Sequence, residues 1–73
     1  TELYNHFQVS QLMIQPPALL GVSDSVEDVM QSFEKTKARM LPVVNSDGVL
    51  VGYITQERLY TQYRRMVADM SAE

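Results

Sequence analysis

The chain is read first as a succession of apolar and polar positions. Val26, Val29, Met30 and Phe33 recur at i, i+3, i+4 and i+7, one apolar stripe that predicts an amphipathic helix. Ser25-Val26-Glu27-Asp28 opens it: the Ser25 hydroxyl is placed to accept the Asp28 amide, and the two acids favour the positive end of the helix. Lys35, Lys37 and Arg39 gather at the other end, where cations suit the negative pole. A second stripe, Leu59, Tyr60, Tyr63, Met66, Val67 and Met70, predicts another helix from Gln56 to about Ala68. Near the start, Leu3, Tyr4 and Phe7 share one helical face, and Val9, Leu12 and Met13 extend the pattern into a short turn over Ser10 to Ile14. Pro16-Pro17 ends it, because proline disfavours helix in the residue before it.

Between these helices the period changes. Leu19 to Val22 reads as a short strand, and Met40 to Val44 as a β-branched apolar strand. Pro42 has no amide to donate, so this second strand is expected to be an edge at that point or to run beside a groove. Asn45-Ser46-Asp47-Gly48 is hairpin-turn chemistry, with Gly48 free to take a positive φ. Val49 to Thr55 is the returning strand, with Gly52 an expected point of close backbone approach. The predicted order is strand, helix, strand, strand, helix. No internal repeat or low-complexity stretch interrupts it.

Size and charge narrow the role. With 73 residues the chain is one domain or part of one, and a domain this small has a marginal core. It has no cysteine, so neither a disulfide nor thiolate chemistry is available, and burial against a partner is the remaining route to stability. A formal net charge of −3 and a pI of about 4.9 argue against nucleic acid, which needs a basic face. No apolar run approaches the roughly 18 residues of a membrane span, so no direct membrane insertion is expected. The polar, acidic start carries no secretory signal pattern. A chain beginning at Thr1 reads as a piece of a longer protein.

Five words in this order resemble the CBS domain family: Val9-Ser10-Gln11-Leu12-Met13, Ser25-Val26-Glu27-Asp28-Val29-Met30, Arg39-Met40-Leu41-Pro42-Val43-Val44, Asp47-Gly48, and Val51-Gly52-Tyr53-Ile54-Thr55. The resemblance implies an α/β fold of CBS type, a small sheet with two helices packed on one side. It divides the chain into a lead segment 1–8, a single CBS motif 9–70 and a tail 71–73. In that family two motifs normally pair, so the expected partner is a second CBS motif or a second copy in a homodimer. Two amphipathic helices on a small sheet agree, since they leave more apolar surface than one layer buries. The expected interface is Val29, Met30, Phe33, Tyr60, Tyr63, Met66 and Val67. The run from Leu59 to Ser71 is also similar to the last helix of the cytoplasmic CBS region of bacterial ClC-type chloride channels. That implies a regulatory role in ion transport and a cytoplasmic location, possible for the cytosolic portion of an integral membrane protein.

The same resemblance implies an adenosine-type site, with AMP, ADP or ATP as an effector and no cofactor required. The family's word is Gly, two apolar-leaning positions, Ser or Thr, two free positions, then Asp, whose two oxygens accept the ribose hydroxyls. Here Gly52-Tyr53-Ile54-Thr55 matches, but Arg58 stands in place of the Asp. A guanidinium only donates, so the ribose clamp is degraded, although Arg58 suits a phosphate. Glu57 lies about 100° around a helix from Arg58 and is expected to point elsewhere. Leu19 falls where nucleotide-binding members carry Thr, leaving the backbone of Ala18, Leu19 and Leu20 to read a base. Leu41 and Pro42 form an expected apolar wall, with Tyr53 beside it as packing or as a purine stack.

Simpler readings stand beside these. Thr55 suits a helix cap through the amides of Glu57 and Arg58, and Arg58 a solvated face or an ion pair. Met30, Met40, Met66 and Met70 sit at core spacing and fill gaps at a helical seam. His6 has no companion ligand, so no metal site is expected. Ser10, Ser23, Ser25, Ser32, Ser46 and Ser71 have no base beyond that one histidine, and Asp24, Glu27 and Asp28 belong to a helix start. No phosphate loop or dinucleotide fingerprint is present. The chain is expected not to be an enzyme.

Overall fold

A computed structural model describes residues 6–71. The elements run α1 (Val9–Leu12), β1 (Leu20–Gly21), α2 (Val26–Thr36), β2 (Met40–Val44), β3 (Leu50–Thr55) and α3 (Gln56–Ser71). The three strands form one sheet in the order β1-β2-β3. β1 runs parallel to β2, pairing Leu20 with Val43 and Gly21 with Val44. β3 returns antiparallel, pairing Met40 with Thr55, Leu41 with Ile54, Pro42 with Tyr53 and Val43 with Gly52.

Among the described residues the core is five side chains: Leu20 from β1, Leu41 from β2, Val29 and Phe33 from α2, and Leu59 from α3. Both helices therefore pack on the sheet face that carries Leu20 and Leu41. Side chains alternate along a strand, so Leu19, Met40, Pro42, Tyr53 and Thr55 lie on the opposite face. No described residue covers that outer face, and Tyr53 is 58% exposed. The expectation that Tyr53 packs is therefore corrected.

Local chemistry explains the element ends. The Asp28 amide donates to the Ser25 hydroxyl at 3.1 Å, which caps α2 as the sequence suggests. α2 stops at Lys37, whose φ of 59° is left-handed and whose amide donates to the Phe33 carbonyl. In the hairpin, the Asn45 Oδ1 accepts the amides of Asp47 and Val49 at 2.9 and 3.0 Å. Gly48 takes a φ of +78° there, as its place in the turn predicts.

Four boundaries shift. α1 covers Val9–Leu12 rather than Ser10 to Ile14, because Gln8 starts it: the Gln8 amide donates to the Gln11 side chain. β1 shrinks to Leu20–Gly21. β3 begins at Leu50 because the Val49 amide is held by the Asn45 side chain. α3 continues to Ser71, since nothing after Ala68 breaks a helix.

Pro42 explains why β1 is short. Val44 accepts the Val22 amide on the β1 side at 3.1 Å, so the nitrogen of Pro42, two residues earlier, faces that side too. It has no hydrogen to give, and pairing with β1 begins only at Val43. β2 is thus central over Val43 and Val44 and an edge on that side at Pro42.

Gly52 departs from expectation. A Cβ built there meets nothing within 4 Å, and only Gly48 has a positive φ among the described glycines. Among the described residues no close approach requires glycine at that position. The stripe formed by Leu3, Tyr4 and Phe7 lies partly outside the described residues, of which only Phe7 is seen, and it is exposed.

Candidate functional site

Two surfaces meet the sequence expectations. The first surrounds Thr55, where β3 becomes α3 without a loop. The Arg58 amide donates to the Thr55 hydroxyl at 3.2 Å, satisfying one of the orphan donors at the helix start. The Gln56 amide donates to the Arg39 carbonyl at 2.8 Å, which ties the beginning of α3 to the beginning of β2. Arg39, Met40, Thr55, Gln56 and Glu57 then line one shallow hollow. On its other side, Thr55, Glu57, Arg58, Thr61, Gln62 and Arg65 line a second.

These hollows suit an anionic, hydroxyl-rich ligand. The Thr55 oxygen uses one lone pair as a cap and keeps its hydrogen to donate. Arg58 and Arg65 are seven residues apart on α3, about 10 Å along the axis, and offer planar donors to phosphate oxygens. Glu57 lines both hollows, as Thr55 does.

The expected adenosine set divides. Leu19, Pro42, Tyr53 and Thr55 share the outer side of the sheet, and Pro42 stands directly across from Tyr53. Arg58 follows one turn into α3. Leu20 and Leu41 do not join them. Leu41 is 0% exposed and packs in the core with Leu20, so the apolar wall reduces to Pro42, with Met40 beside it. Ala18 is half-buried against the same core. Leu20 is 1% exposed, so the backbone reading of a base expected of Leu20 is closed off within this chain.

The second surface is the seam between α2 and α3. Val26, Met30, Tyr63 and Met66 line a groove there together with Glu27, Gln31 and Glu34. The expected interface set also divides. Phe33 is 1% exposed and Val29 is buried, so both belong to the core of this one unit. Their stripe continues past the core, and its outer members are what remain. Met30 and Tyr60 are half-buried, while Tyr63, Met66 and Val67 are exposed. Met66 borders the seam as expected, but Met40 lies on the outer sheet face and Met70 is exposed near the end of α3.

Among the described residues, no group of three His, Cys, Asp or Glu is placed to hold a metal ion. No described helix is long and apolar enough to cross a membrane.

Comparison with known proteins agrees with this architecture. The chain belongs to the CBS domain family, whose pattern it matches over residues 9–64. It is 44% identical over 48 residues to the CBS domain-containing protein CBSX1, chloroplastic, of Arabidopsis thaliana, and 40% identical over 48 residues to CBSX2, chloroplastic, of the same plant. Each match covers 66% of this chain but only 20% of the relative. Among solved structures it resembles CBSX2 in complex with AMP, with a TM-score of 0.72 and 28% identity over 89% of this chain and 50% of that one. Staphylococcus aureus OpuCA shares the fold, with a TM-score of 0.70 and 22% identity over 89% of this chain and 56% of that one. CBS domains as a class are regulatory rather than catalytic.

Proposed function

We propose that this CBS unit is a non-catalytic pairing element of a larger protein, and that its α2–α3 seam closes against a second CBS motif to set subunit geometry. The observation that carries this reading is the apolar groove of Val26, Met30, Tyr63 and Met66, with Val67 exposed on the same helix, on a unit with five core side chains among the described residues. Sedimentation of the purified chain tests it. A dimer at micromolar concentration is expected, and a compact, stable monomer overturns it.

A second reading, adenine-nucleotide sensing, is favoured by the hollows around Thr55. Pro42 and Tyr53 offer apolar contact to a purine, Thr55 and Glu57 offer polar partners to a ribose, and Arg58 and Arg65 offer charge to phosphates. CBSX2, a structural neighbour, was solved with AMP. A nucleotide regulates only if it binds two arrangements of the pair with different affinity. Calorimetric titration with AMP, ADP and ATP tests this: micromolar binding supports sensing, and no heat from a folded dimer removes it. The parent favoured by the α3 sequence is a chloride channel or transporter with this unit in the cytoplasm; a metabolic enzyme is the alternative. The reading frame flanking the chain decides between them.

A further inference from the structure

The groove between α2 and α3 carries two sulphur atoms. Met30 comes from α2 and Met66 from α3, and both line it beside Val26 and Tyr63. The chain has no cysteine, so its five methionine thioethers are its whole stock of sulphur and its most readily oxidised groups.

The five differ in access and in place. Met13, Met40 and Met70 are exposed, but none of them lines the groove. Met30 lines it, yet it is half-buried and packs against the core. Met66 is the methionine that both lines the groove and stands open to solvent, at 48% exposure. The core cluster and the residues packed on it do not include Met66, so a change there alters the seam without emptying the core.

We propose that Met66 is an oxidation site: a peroxide converts its thioether to the sulfoxide in the unpaired chain, and the sulfoxide opposes pairing at the seam. Hydrogen peroxide passes one oxygen to a sulphur lone pair. Its O–O bond breaks, the sulphur is oxidised, the peroxide is reduced, and water leaves. A flexible apolar side chain thereby gains a polar acceptor oxygen. The groove is poorly equipped for it. Val26 and Met30 offer apolar contact, and the carboxylates of Glu27 and Glu34 are acceptors themselves. Among the residues lining the groove, the Gln31 amide and the Tyr63 hydroxyl are the side-chain donors left to it. In the unpaired chain water satisfies the sulfoxide oxygen, and pairing strips that water away. Access and pairing then exclude each other: the pair covers the sulphur, and the sulfoxide holds oxidised chains apart. In needing a pair, the inference rests on the seam pairing proposed above.

To test it, the chain is treated with hydrogen peroxide, sulfoxides are located by peptide mass spectrometry, and dimerisation is read by sedimentation equilibrium. The expected result is sulfoxide at Met66 and a dimer dissociation constant raised about tenfold or more, the effect of a buried polar group left short of donors. Methionine sulfoxide reductase should restore the dimer. Met66→Leu keeps the volume and should pair equally well with and without peroxide, although Met13, Met40 and Met70 still oxidise. Met30→Leu should stay sensitive. A dimer unchanged by sulfoxide at Met66 overturns the proposal while leaving the pairing intact. So does a Met66 that stays reduced in a dilute, unpaired sample while Met13 and Met40 oxidise. Sensitivity kept by Met66→Leu, or lost by Met30→Leu, overturns Met66 as the site. Sedimentation of the untreated chain as a monomer overturns the pairing and this inference together.

Discussion

The Thr55 hydroxyl accepts the Arg58 amide at 3.2 Å, so one side chain ends β3 and starts α3. Replacing Thr55 with Val keeps the β-branched shape and removes the oxygen. The expected loss is about 1 kcal/mol of folding stability, read from urea midpoints, with Thr55→Ser close to wild type. A cost this small leaves the variant folded, so its effect on nucleotide binding can be measured separately.

Arg58 is the third residue of α3, near the positive end of the helix, where a cation is disfavoured. Arg58→Asp should raise stability by about 0.5 kcal/mol through the dipole alone. The same substitution restores the two-oxygen acceptor of the family word and should tighten adenosine binding in calorimetry. Added stability without tighter binding would mean that Arg58 is not the limiting defect of the ribose clamp.

Phe33 and Met66 lie on neighbouring helices but differ in what they touch. Phe33→Ala empties the centre of the described core and should cost about 4 kcal/mol, a large share of the stability a domain this small has, read as a lowered urea midpoint. Met66 is 48% exposed at the seam. Met66→Glu should keep the far-ultraviolet dichroism of the folded chain and weaken dimerisation by about tenfold or more in sedimentation equilibrium.

Gly48 holds its positive φ in open space, with nothing within 4 Å of a built Cβ. Gly48→Ala should therefore act through backbone strain alone and cost about 1 kcal/mol by thermal melting. Gly48→Asn should cost less, because asparagine tolerates that conformation.

These residues also mark how far the sequence could be read. Ser25, Gly48 and Thr55 were legible because each acts on backbone within four positions, so spacing alone identifies its partner. The element order was legible because the apolar period changes at each boundary. Which apolar residues are internal was not. The stripe from Val26 to Phe33 is one face by period, but the core takes Val29 and Phe33 and leaves Val26 and Met30 at the groove. Met40-Leu41-Pro42-Val43-Val44 has no polar alternation, so nothing in it tells Leu41, which is internal, from Pro42, which faces out.

The pairing of β2 and β3 is not uniform: Val43 faces Gly52, Val44 faces Leu50, and Val51 is left over as a bulge. β3 is a sheet edge, and from Val49 to Thr55 it has neither charge nor proline, the composition that favours stacking into cross-β fibrils. The extra residue bends and twists that edge, so copies of it meet poorly in register. Val51 is then a safeguard of solubility as well as a part of the sheet: a chain shortened by that one residue would have a straighter, stickier margin, and its hazard would be amyloid rather than unfolding.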